Sequence, residues 1–206
     1  MDVPRLTRVQ RRSVTRERLI GAARVIFAEK GYVAASVEDI AVAAGHTRGA
    51  FYSNFRSKTD MLFELLRRDH DEAAAALQRI ANTHDSADGA QHAMLAYWRR
   101  CTARHAPRLM WLEAQLQAAR DPQFRARFGA FLRDRQALAV ACIDAYAVRA
   151  GVSLPLPAQV LALGLTALCD GVQSCSAVDA WGTDDALADA VLVGFLTHTV
   201  FGCVSR

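Results

Sequence analysis

The 206-residue sequence predicts an all-α fold of about nine helices in two domains. Three observations favour it. Apolar residues recur at helical spacing through most of the chain. No segment has the apolar–polar alternation of a half-buried strand. Only five prolines interrupt the pattern, and a hydrophobic content of 52% is typical of a globular chain rather than a disordered one.

The first helix is predicted to begin at Thr15. Residues 1–14 have no apolar period and several separated arginines, which indicates a flexible basic arm. Gly31 is expected to end the helix as a C′ glycine does. Its buried stripe consists of Leu19, Ala22, Ala23, Ile26 and Phe27.

Two short helices follow. Ser36 and Asp39 form an approximate capping box at the start of helix two, which Gly45 ends after two turns. Thr47 can cap a third helix that ends near Phe55. Short helices joined by a tight turn within a small bundle are typical of a helix-turn-helix.

The rest of the chain is predicted to be helical as well. Ser57 and Asp60 repeat the capping pattern and open a fourth helix that runs to about Ile80. Further helices are expected at about 88–104, 107–119, 122–149, 157–178 and 184–203. The two most apolar stretches are interrupted by polar residues, so we expect buried helices there and no membrane span.

Positive charge is concentrated at the N-terminal end. The whole chain carries 25 Lys and Arg against 21 Asp and Glu, whereas residues 1–60 carry 11 basic and 6 acidic residues. The excess favours a polyanionic partner for the first third of the chain. A basic segment that serves only solubility explains the charge equally well.

The five cysteines predict a cytoplasmic protein with free thiols, since their number is odd and residues 1–18 lack the apolar core of a secretory signal. Cys101 and His105 stand four residues apart, a spacing that can share a metal. Two ligands do not make a site, and we expect a packed thiol there. The sequence therefore predicts no metal site, no cofactor and no catalytic residue.

Helix three has two unlike faces. Phe51 and Phe55 share one face, as buried residues do, and Gly49 and Ser53 share the opposite face. A small, polar face can approach another surface closely, as a helix in the DNA major groove must, and Arg48 can donate two hydrogen bonds to guanine. The alternative is a structural helical hairpin with a solvated face. Gly49 argues against it, because glycine costs about 1 kcal/mol relative to alanine in a helix.

Residues 15–62 carry short motifs in order and without a gap: F-A-E-K-G-Y, S-V-E-D-I-A, A-G-x-T-R-G-A-F-Y-x-N-F and x-S-K-x-D-x-L. This segment resembles the DNA-binding domain of the tetracycline-repressor (TetR) family. The resemblance implies a TetR-type helix-turn-helix domain at 15–60, with the motif at about 36–55. It also implies a helical effector-binding and dimerisation domain at 61–206.

The resemblance implies a function as well. It indicates a ligand-responsive transcriptional repressor, not an enzyme, that binds a palindromic operator in double-stranded DNA as a homodimer and is released by a small-molecule effector. The residues themselves do not separate a repressor from an activator. His46 is expected to be a turn residue. The positions implied to contact DNA are Ser36, Thr47, Arg48, Gly49, Tyr52, Ser53, Asn54 and Lys58.

The middle helices hold large, adaptable side chains. Such a set is typical of a plain core, and with the resemblance it indicates a cavity for a small, largely apolar effector. Glu113 is expected at the surface unless it faces that cavity, where it would favour a cationic or hydrogen-bonding ligand. The lining candidates are Trp98, Cys101, Trp111, Glu113, Gln117, Tyr146 and Gln173.

Helices 157–178 and 184–203 are apolar on most sides, which indicates burial against more than one neighbour. A second subunit explains this pattern in a small protein, and the alternative is a monomer with two central core helices. The residues expected at the dimer interface are Leu161, Gly164, Leu165, Leu168, Val172, Leu187, Val191 and Phe195.

Two other functions stay open at this stage. A helical enzyme that carries a helix-turn-helix would need a catalytic motif, and the chain has no G-x-S-x-G, P-loop or H-E-x-x-H sequence. A helical protein-interaction module would bind DNA only at low salt and without sequence preference.

Overall fold

The computed structural model describes residues 7–83, 87–102, 105–177 and 185–201, and the side chains of residues 7–80, 89, 92–97, 99–100, 108–175 and 186–199. Every element in these ranges is a helix, which confirms the predicted all-α class. No helix among them is long and apolar enough to cross a membrane. The helices are α1 (Arg8–Ala34), α2 (Val37–Ala43), α3 (Arg48–Tyr52), α4 (Lys58–Thr83), α5 (Ala87–Thr102), α6 (His105–Arg120), α7 (Pro122–Ala150), α8 (Ala158–Ala177) and α9 (Asp185–Phe195), which continues as a π-helix over Leu196–Phe201.

The first helix begins at Arg8, seven residues before the predicted start. Thr7 is its N-cap: the Thr7 hydroxyl accepts a hydrogen bond from the Gln10 N–H at 3.2 Å, and the Gln10 side chain accepts from the Thr7 N–H at 2.8 Å. The predicted flexible arm is therefore wrong for residues 8–14, and residues 1–6 lie outside the described part of the chain. The hydrophobic pattern did not predict this first part of α1 because residues 8–14 are all exposed, and an exposed helical segment needs no apolar stripe.

The predicted capping signals of the next helices are confirmed. The Ser36 hydroxyl accepts from the Asp39 N–H at 3.0 Å, and the Asp39 carboxylate accepts from the Ser36 N–H at 2.9 Å. Gly45 has a φ of 69°, a left-handed conformation that favours glycine in the turn before α3. The Thr47 hydroxyl caps α3, which ends at Tyr52 rather than near Phe55.

One core joins the N-terminal helices to the second half of the chain. Phe27 of α1 and Phe51 of α3 belong to the same buried cluster as Met110 of α6 and Phe124 of α7. A separate cluster lies farther along and includes Ile143, Leu161 and Leu196. The helices around α3 are therefore packed directly on α6 and α7, and a shift of either of those helices must be accommodated by the N-terminal bundle.

Candidate nucleic-acid interface and internal cavity

Helix α3 presents a small polar face to solvent. Phe51 and Phe55 are 0% and 5% exposed, and their ring centroids lie 5.7 Å apart in the core beneath the helix. Arg48, Gly49 and the other predicted base-facing positions, Thr47 and Ser53, are all exposed, as is Tyr52. The Arg48 side chain has no hydrogen bond or ion pair with any residue that the structure describes. The predicted division of this helix into a buried and an outward face is therefore the observed one.

Two arginines of α1 bind the end of α3. Arg12 donates to the Ser53 carbonyl at 3.2 Å and Arg16 to the Asn54 carbonyl at 3.1 Å. Arg16 also forms an ion pair with Glu64 at 2.9 Å. These bonds satisfy carbonyls that a helix C-terminus leaves without partners. Sequence reasoning missed this role because it placed Arg12 in the flexible arm, although the four-residue spacing of the two arginines would have indicated a shared helix face.

Lys58 and Asn54, two residues predicted to contact phosphates, are bonded to backbone carbonyls in the structure. Lys58 donates to the Ala35 carbonyl at 2.6 Å and to the Val33 carbonyl at 3.0 Å, and its ammonium lies 4.7 Å from the Tyr32 ring centroid. Burial lowers the pKa of Lys58. Asn54 is half-buried and donates to the Ala50 carbonyl at 2.8 Å. Both side chains are thus occupied by backbone carbonyls within the bundle and hold its loops.

Ser36 remains exposed at the start of α2, where its hydroxyl also donates to the Asp39 carboxylate at 2.7 Å. The hydrogen bonds from Lys30, at 2.6 Å, and from Ser36 hold the pKa of Asp39 well below its usual range. His46 lies in the turn, where its backbone N–H donates a hydrogen bond to the Ala41 carbonyl at 2.8 Å.

A cavity of about 540 Å³ lies among α4, α5, α6, α7 and α8. Three of the lining candidates, Trp111, Tyr146 and Gln173, line this cavity. Two further candidates, Glu113 and Gln117, are not part of its lining. The side chains of Trp98 and Cys101 lie outside the described part of the chain.

Glu113 turns away from the cavity and toward α1. Its carboxylate accepts a hydrogen bond from the N–H of Tyr32. Trp111 lies two residues earlier on the same helix, and residues at this spacing point to nearly opposite sides. This spacing explains why one α6 residue lines the cavity while the other contacts the N-terminal bundle.

Two ion pairs at the cavity wall escaped the sequence reasoning. Arg135 binds Asp170 through two hydrogen bonds of 3.0 and 2.8 Å. Asp69 binds Arg24 of α1 through two bonds of 3.2 and 2.7 Å. Each pair joins residues at least 35 positions apart, a separation at which a helical pattern carries no information on pairing. Among the described residues, no group of three or more His, Cys, Asp and Glu could hold a metal ion.

The exposed apolar surface of α8 and α9 differs from the predicted dimer face by one position on α8. Leu161 is buried in the second core cluster, Leu165 packs against it and lines the cavity, and Phe195 packs near Gly164. Leu168 and Val172 are half-buried. The outward apolar residues are Val160, Leu163, Ala167 and Gly171 on α8, with Leu187 and Val191 on α9.

The chain thus has an N-terminal helix-turn-helix that packs on longer helices, and these helices surround a cavity. Residues 19–65 match the sequence model of the family described as "Bacterial regulatory proteins, tetR family". The part of the chain that contains α2 and α3 is therefore similar to this family.

The chain is similar to known regulators over different lengths. It is 34% identical over 114 residues to the HTH-type transcriptional repressor Rv1474c of Mycobacterium tuberculosis, which covers 53% of this chain and 54% of that protein. The chain thus spans about half the length of this curated relative.

Two solved structures share the fold over nearly the whole chain. A TetR-family transcriptional regulator from Rhodococcus sp. aligns with a TM-score of 0.77 at 21% identity, covering 91% of this chain and 99% of that one. A transcriptional regulator from Saccharomonospora viridis, in complex with choline, aligns with a TM-score of 0.74 at 23% identity, covering 94% and 100%.

Proposed function

We propose that this protein is a ligand-responsive transcriptional repressor. It binds a palindromic operator as a homodimer and leaves the DNA when a small, largely apolar effector occupies the internal cavity. The observation that carries this proposal is the outward face of α3, where Arg48, Gly49 and Tyr52 are exposed above the buried Phe51.

The DNA contact is argued from the shape and charge of α3. Gly49 leaves space in the middle of the outward face, since a Cβ there would meet only the Thr47 hydroxyl at 3.7 Å. Arg48 is free to donate two hydrogen bonds to a guanine in the major groove, and Tyr52 can donate to a phosphate. The exposed arginines at the start of α1 add sequence-independent attraction for the backbone.

The homodimer is argued from the apolar stripe on α8 and α9. Val160, Leu163, Leu187 and Val191 are large apolar residues with 42–63% of their surface exposed. Exposed apolar residues on two helices that pack against each other favour an interface, and two copies of the pair form a four-helix contact. A two-fold dimer presents two α3 helices about one DNA turn apart, which matches a palindromic site.

The packing of α6 between the cavity and the N-terminal bundle supports release of the protein from DNA by an effector. Trp111 lines the cavity, and Glu113 bonds to Tyr32 in α1. An effector that favours a different position of α6 therefore changes the placement of α3 relative to its partner. Effector and operator then weaken each other's binding by the same factor, about 5–150-fold for a typical coupling.

The test begins with selection of an operator from random duplex DNA by the full chain. Binding of Arg48→Ala and Tyr52→Phe to that operator is then measured by fluorescence anisotropy. Arg48→Ala is expected to weaken binding by about 5–150-fold, because one bidentate base contact is lost. Tyr52→Phe is expected to weaken binding less and equally on all sequences, because it removes a phosphate contact.

Arg120→Ala is the matched control, because Arg120 is an exposed arginine at the end of α6, outside the N-terminal bundle. It should bind the operator as the parent protein does. Unchanged operator affinity of both Arg48→Ala and Tyr52→Phe would contradict the assignment of α3 as the recognition helix.

A further inference from the structure

Three arginines of α1, Arg8, Arg12 and Arg16, follow one another at four-residue spacing. Each step of four residues turns the helix by only about 40° and advances it by about 6 Å, so the three side chains lie along one side of α1. That side faces the C-terminal end of α3, because Arg12 and Arg16 both donate to carbonyls there. The three residues therefore form an arginine stripe beside α3.

The contacts of the arginine stripe move outward toward the start of α1. Arg16 donates to the Asn54 carbonyl, and its guanidinium lies 4.2 Å from the ring centroid of the buried Phe55. One turn earlier, Arg12 donates to the carbonyl of Ser53, which is exposed on the outward face of α3. Arg8 lies one further turn in the same direction. Its side chain is therefore placed at the edge of the surface that the outward face of α3 forms.

The guanidinium of Arg8 is available for a new partner. The Arg8 side chain is exposed and has no hydrogen bond or ion pair with any residue that the structure describes. The first turn of α1 contains no acidic residue that could compete for it. The backbone of this turn is held by the reciprocal hydrogen bonds between Thr7 and Gln10. A side chain on an ordered turn loses less conformational freedom on binding than one on a flexible arm.

A DNA phosphate is the partner that this position favours. In helix-turn-helix proteins the N-terminal residues of the recognition helix contact base edges, so its C-terminal end leads out of the groove toward the sugar–phosphate backbone. The arginine stripe lies at that end of α3. A guanidinium forms two parallel hydrogen bonds with a phosphate, which an ammonium does not. Lys58 and Asn54 are bonded to carbonyls of the bundle and leave this role to other residues.

We infer that Arg8 binds a phosphate on the DNA strand that borders the groove occupied by α3. The DNA-binding surface then extends from the helix-turn-helix to the first turn of α1. The inference rests on the proposed function, since it adds a contact to the same operator complex. It differs from a general attraction between basic residues and DNA, because it assigns the contact to one arginine and to one phosphate position in each half-site.

The first test compares operator binding of Arg8→Ala and the parent protein by fluorescence anisotropy over a range of salt concentrations. Arg8→Ala is expected to weaken binding by about tenfold, because a charge-assisted contact is lost. The slope of log K against log salt concentration should become shallower by about 2, since each of the two copies of Arg8 in the proposed homodimer releases about one counterion. Arg8→Lys should keep most of the slope but only part of the affinity, because lysine retains the charge without the bidentate geometry.

Arg18→Ala is the matched control. Arg18 is an exposed arginine of the same helix, about 15 Å farther along the axis than Arg8 and on the side away from Arg16. Its removal changes the net charge by the same amount as Arg8→Ala. Arg18→Ala is expected to keep the parent affinity and the parent salt slope.

The second test locates the phosphate. Single phosphates of the operator are replaced one at a time by uncharged methylphosphonates, and each duplex is titrated with the parent protein, Arg8→Ala and Arg18→Ala. At one position in each half-site, the replacement is expected to weaken parent binding by about tenfold. The same replacement should not weaken Arg8→Ala further, because the contact is already absent. Arg18→Ala should lose affinity at that position as the parent does.

Three results would overturn the inference: parent-like affinity and salt slope in Arg8→Ala, equal losses in Arg8→Ala and Arg18→Ala, or additive effects of Arg8→Ala and the methylphosphonate at every position. Arg48→Ala is measured on the same operator. Weakened binding of Arg48→Ala together with any of these results rejects the Arg8 contact alone. Absence of sequence-specific DNA binding by the parent protein rejects the proposed function instead.

Discussion

The carboxylate of Glu113 on α6 accepts a hydrogen bond from the backbone N–H of Tyr32, at the break in α1. The break itself is Gly31, whose φ of 77° and ψ of 159° lie in a region that only glycine adopts readily. Lys58 closes the same loop from the other side through the Val33 and Ala35 carbonyls. A charged group of α6 and one at the start of α4 therefore fix the segment that leads into the helix-turn-helix.

Replacement of Glu113 by alanine is expected to destabilise the protein by about 1–3 kcal/mol, because the Tyr32 N–H loses its acceptor while Tyr32 stays buried. The free energy of unfolding is measured by urea titration. Glu29→Ala is the matched control, since Glu29 is exposed on α1, and should change stability by less than about 0.5 kcal/mol. Equal stability of the two variants would show that the Glu113–Tyr32 bond contributes nothing to folding.

Gly31→Ala tests the contact between Glu113 and the break in α1 by adding a Cβ next to the Glu113 carboxylate. A Cβ at this position would collide with the Glu113 carboxylate and would also force alanine into a backbone region that costs about 1–3 kcal/mol. We expect a loss above about 2 kcal/mol for the single variant. In a Glu113→Ala background the loss should be smaller, because the collision is removed and only the backbone strain remains.

Gly21→Ala is the control for the glycine replacement. Gly21 lies within α1, and a Cβ there would meet nothing within 4 Å, so alanine should stabilise the helix by about 0.5–1 kcal/mol. Strictly additive effects of Gly31→Ala and Glu113→Ala in urea titrations would mean that the two residues do not interact.

Local signals account for the parts of the fold that the sequence predicts well. The starts of α2 and α3 depend on hydroxyls that cap their own helices, Ser36 and Thr47, and such signals are complete within a few residues. The partner of Lys58 could not be predicted in this way, because the carbonyls of Val33 and Ala35 approach it only after the bundle has formed. A lysine ammonium can donate to a phosphate or to backbone carbonyls, and the sequence around Lys58 does not say which acceptor lies within its reach in the folded chain.

The apolar helix α8 shows a different limit. The sequence predicts that Leu161 and Leu165 face a partner, whereas Leu161 packs in the chain's own core and Val160 and Leu163 are exposed. An amphipathic helix identifies its buried face through the polar residues opposite to it. A helix that is apolar on most sides has no such reference, so its rotation is decided by shape complementarity with its neighbours.

Gly49→Leu is expected to remove specific operator binding without unfolding the protein. A Cβ at Gly49 meets only the Thr47 hydroxyl at 3.7 Å, an ordinary contact, so the larger side chain projects from the outward face of α3. It then separates the helix from the base edges. Anisotropy measures the affinity and circular dichroism the fold. Val42→Leu, on an exposed position of α2, is the size-matched control. Full operator affinity of Gly49→Leu would place the DNA on another face.

The acid stability of the N-terminal bundle is expected to depend on Asp39. The hydrogen bonds from Lys30 and Ser36 lower the pKa of Asp39 in the folded state. A lowered folded pKa contributes stability that is complete above the unfolded pKa of about 3.9 and is lost as the pH falls toward the folded value. The parent protein should therefore lose more stability than Asp39→Asn between about pH 5 and about pH 3.

Urea titrations across that pH range measure this difference. Asp134→Asn, which removes an exposed carboxylate on α7, is the control and should follow the parent curve. An Asp39→Asn curve parallel to that of the parent would show that the capping carboxylate does not drive the acid loss.

Leu163→Glu is expected to separate the proposed dimer into folded monomers. Leu163 is 63% exposed in the single chain, so glutamate is tolerated there until a second copy covers it. In the interface the buried carboxylate has a high desolvation cost, and the dimer dissociation constant should rise by at least about a hundredfold. Sedimentation velocity measures the association state.

Val148→Glu on α7, where valine is 84% exposed, should leave the association state unchanged. Leu161→Glu should unfold the protein instead, because Leu161 is 2% exposed in its own core. Operator affinity should fall with the dimer, since a monomer contacts one half-site. A dimer of Leu163→Glu as tight as the parent would exclude the α8–α9 stripe as the interface.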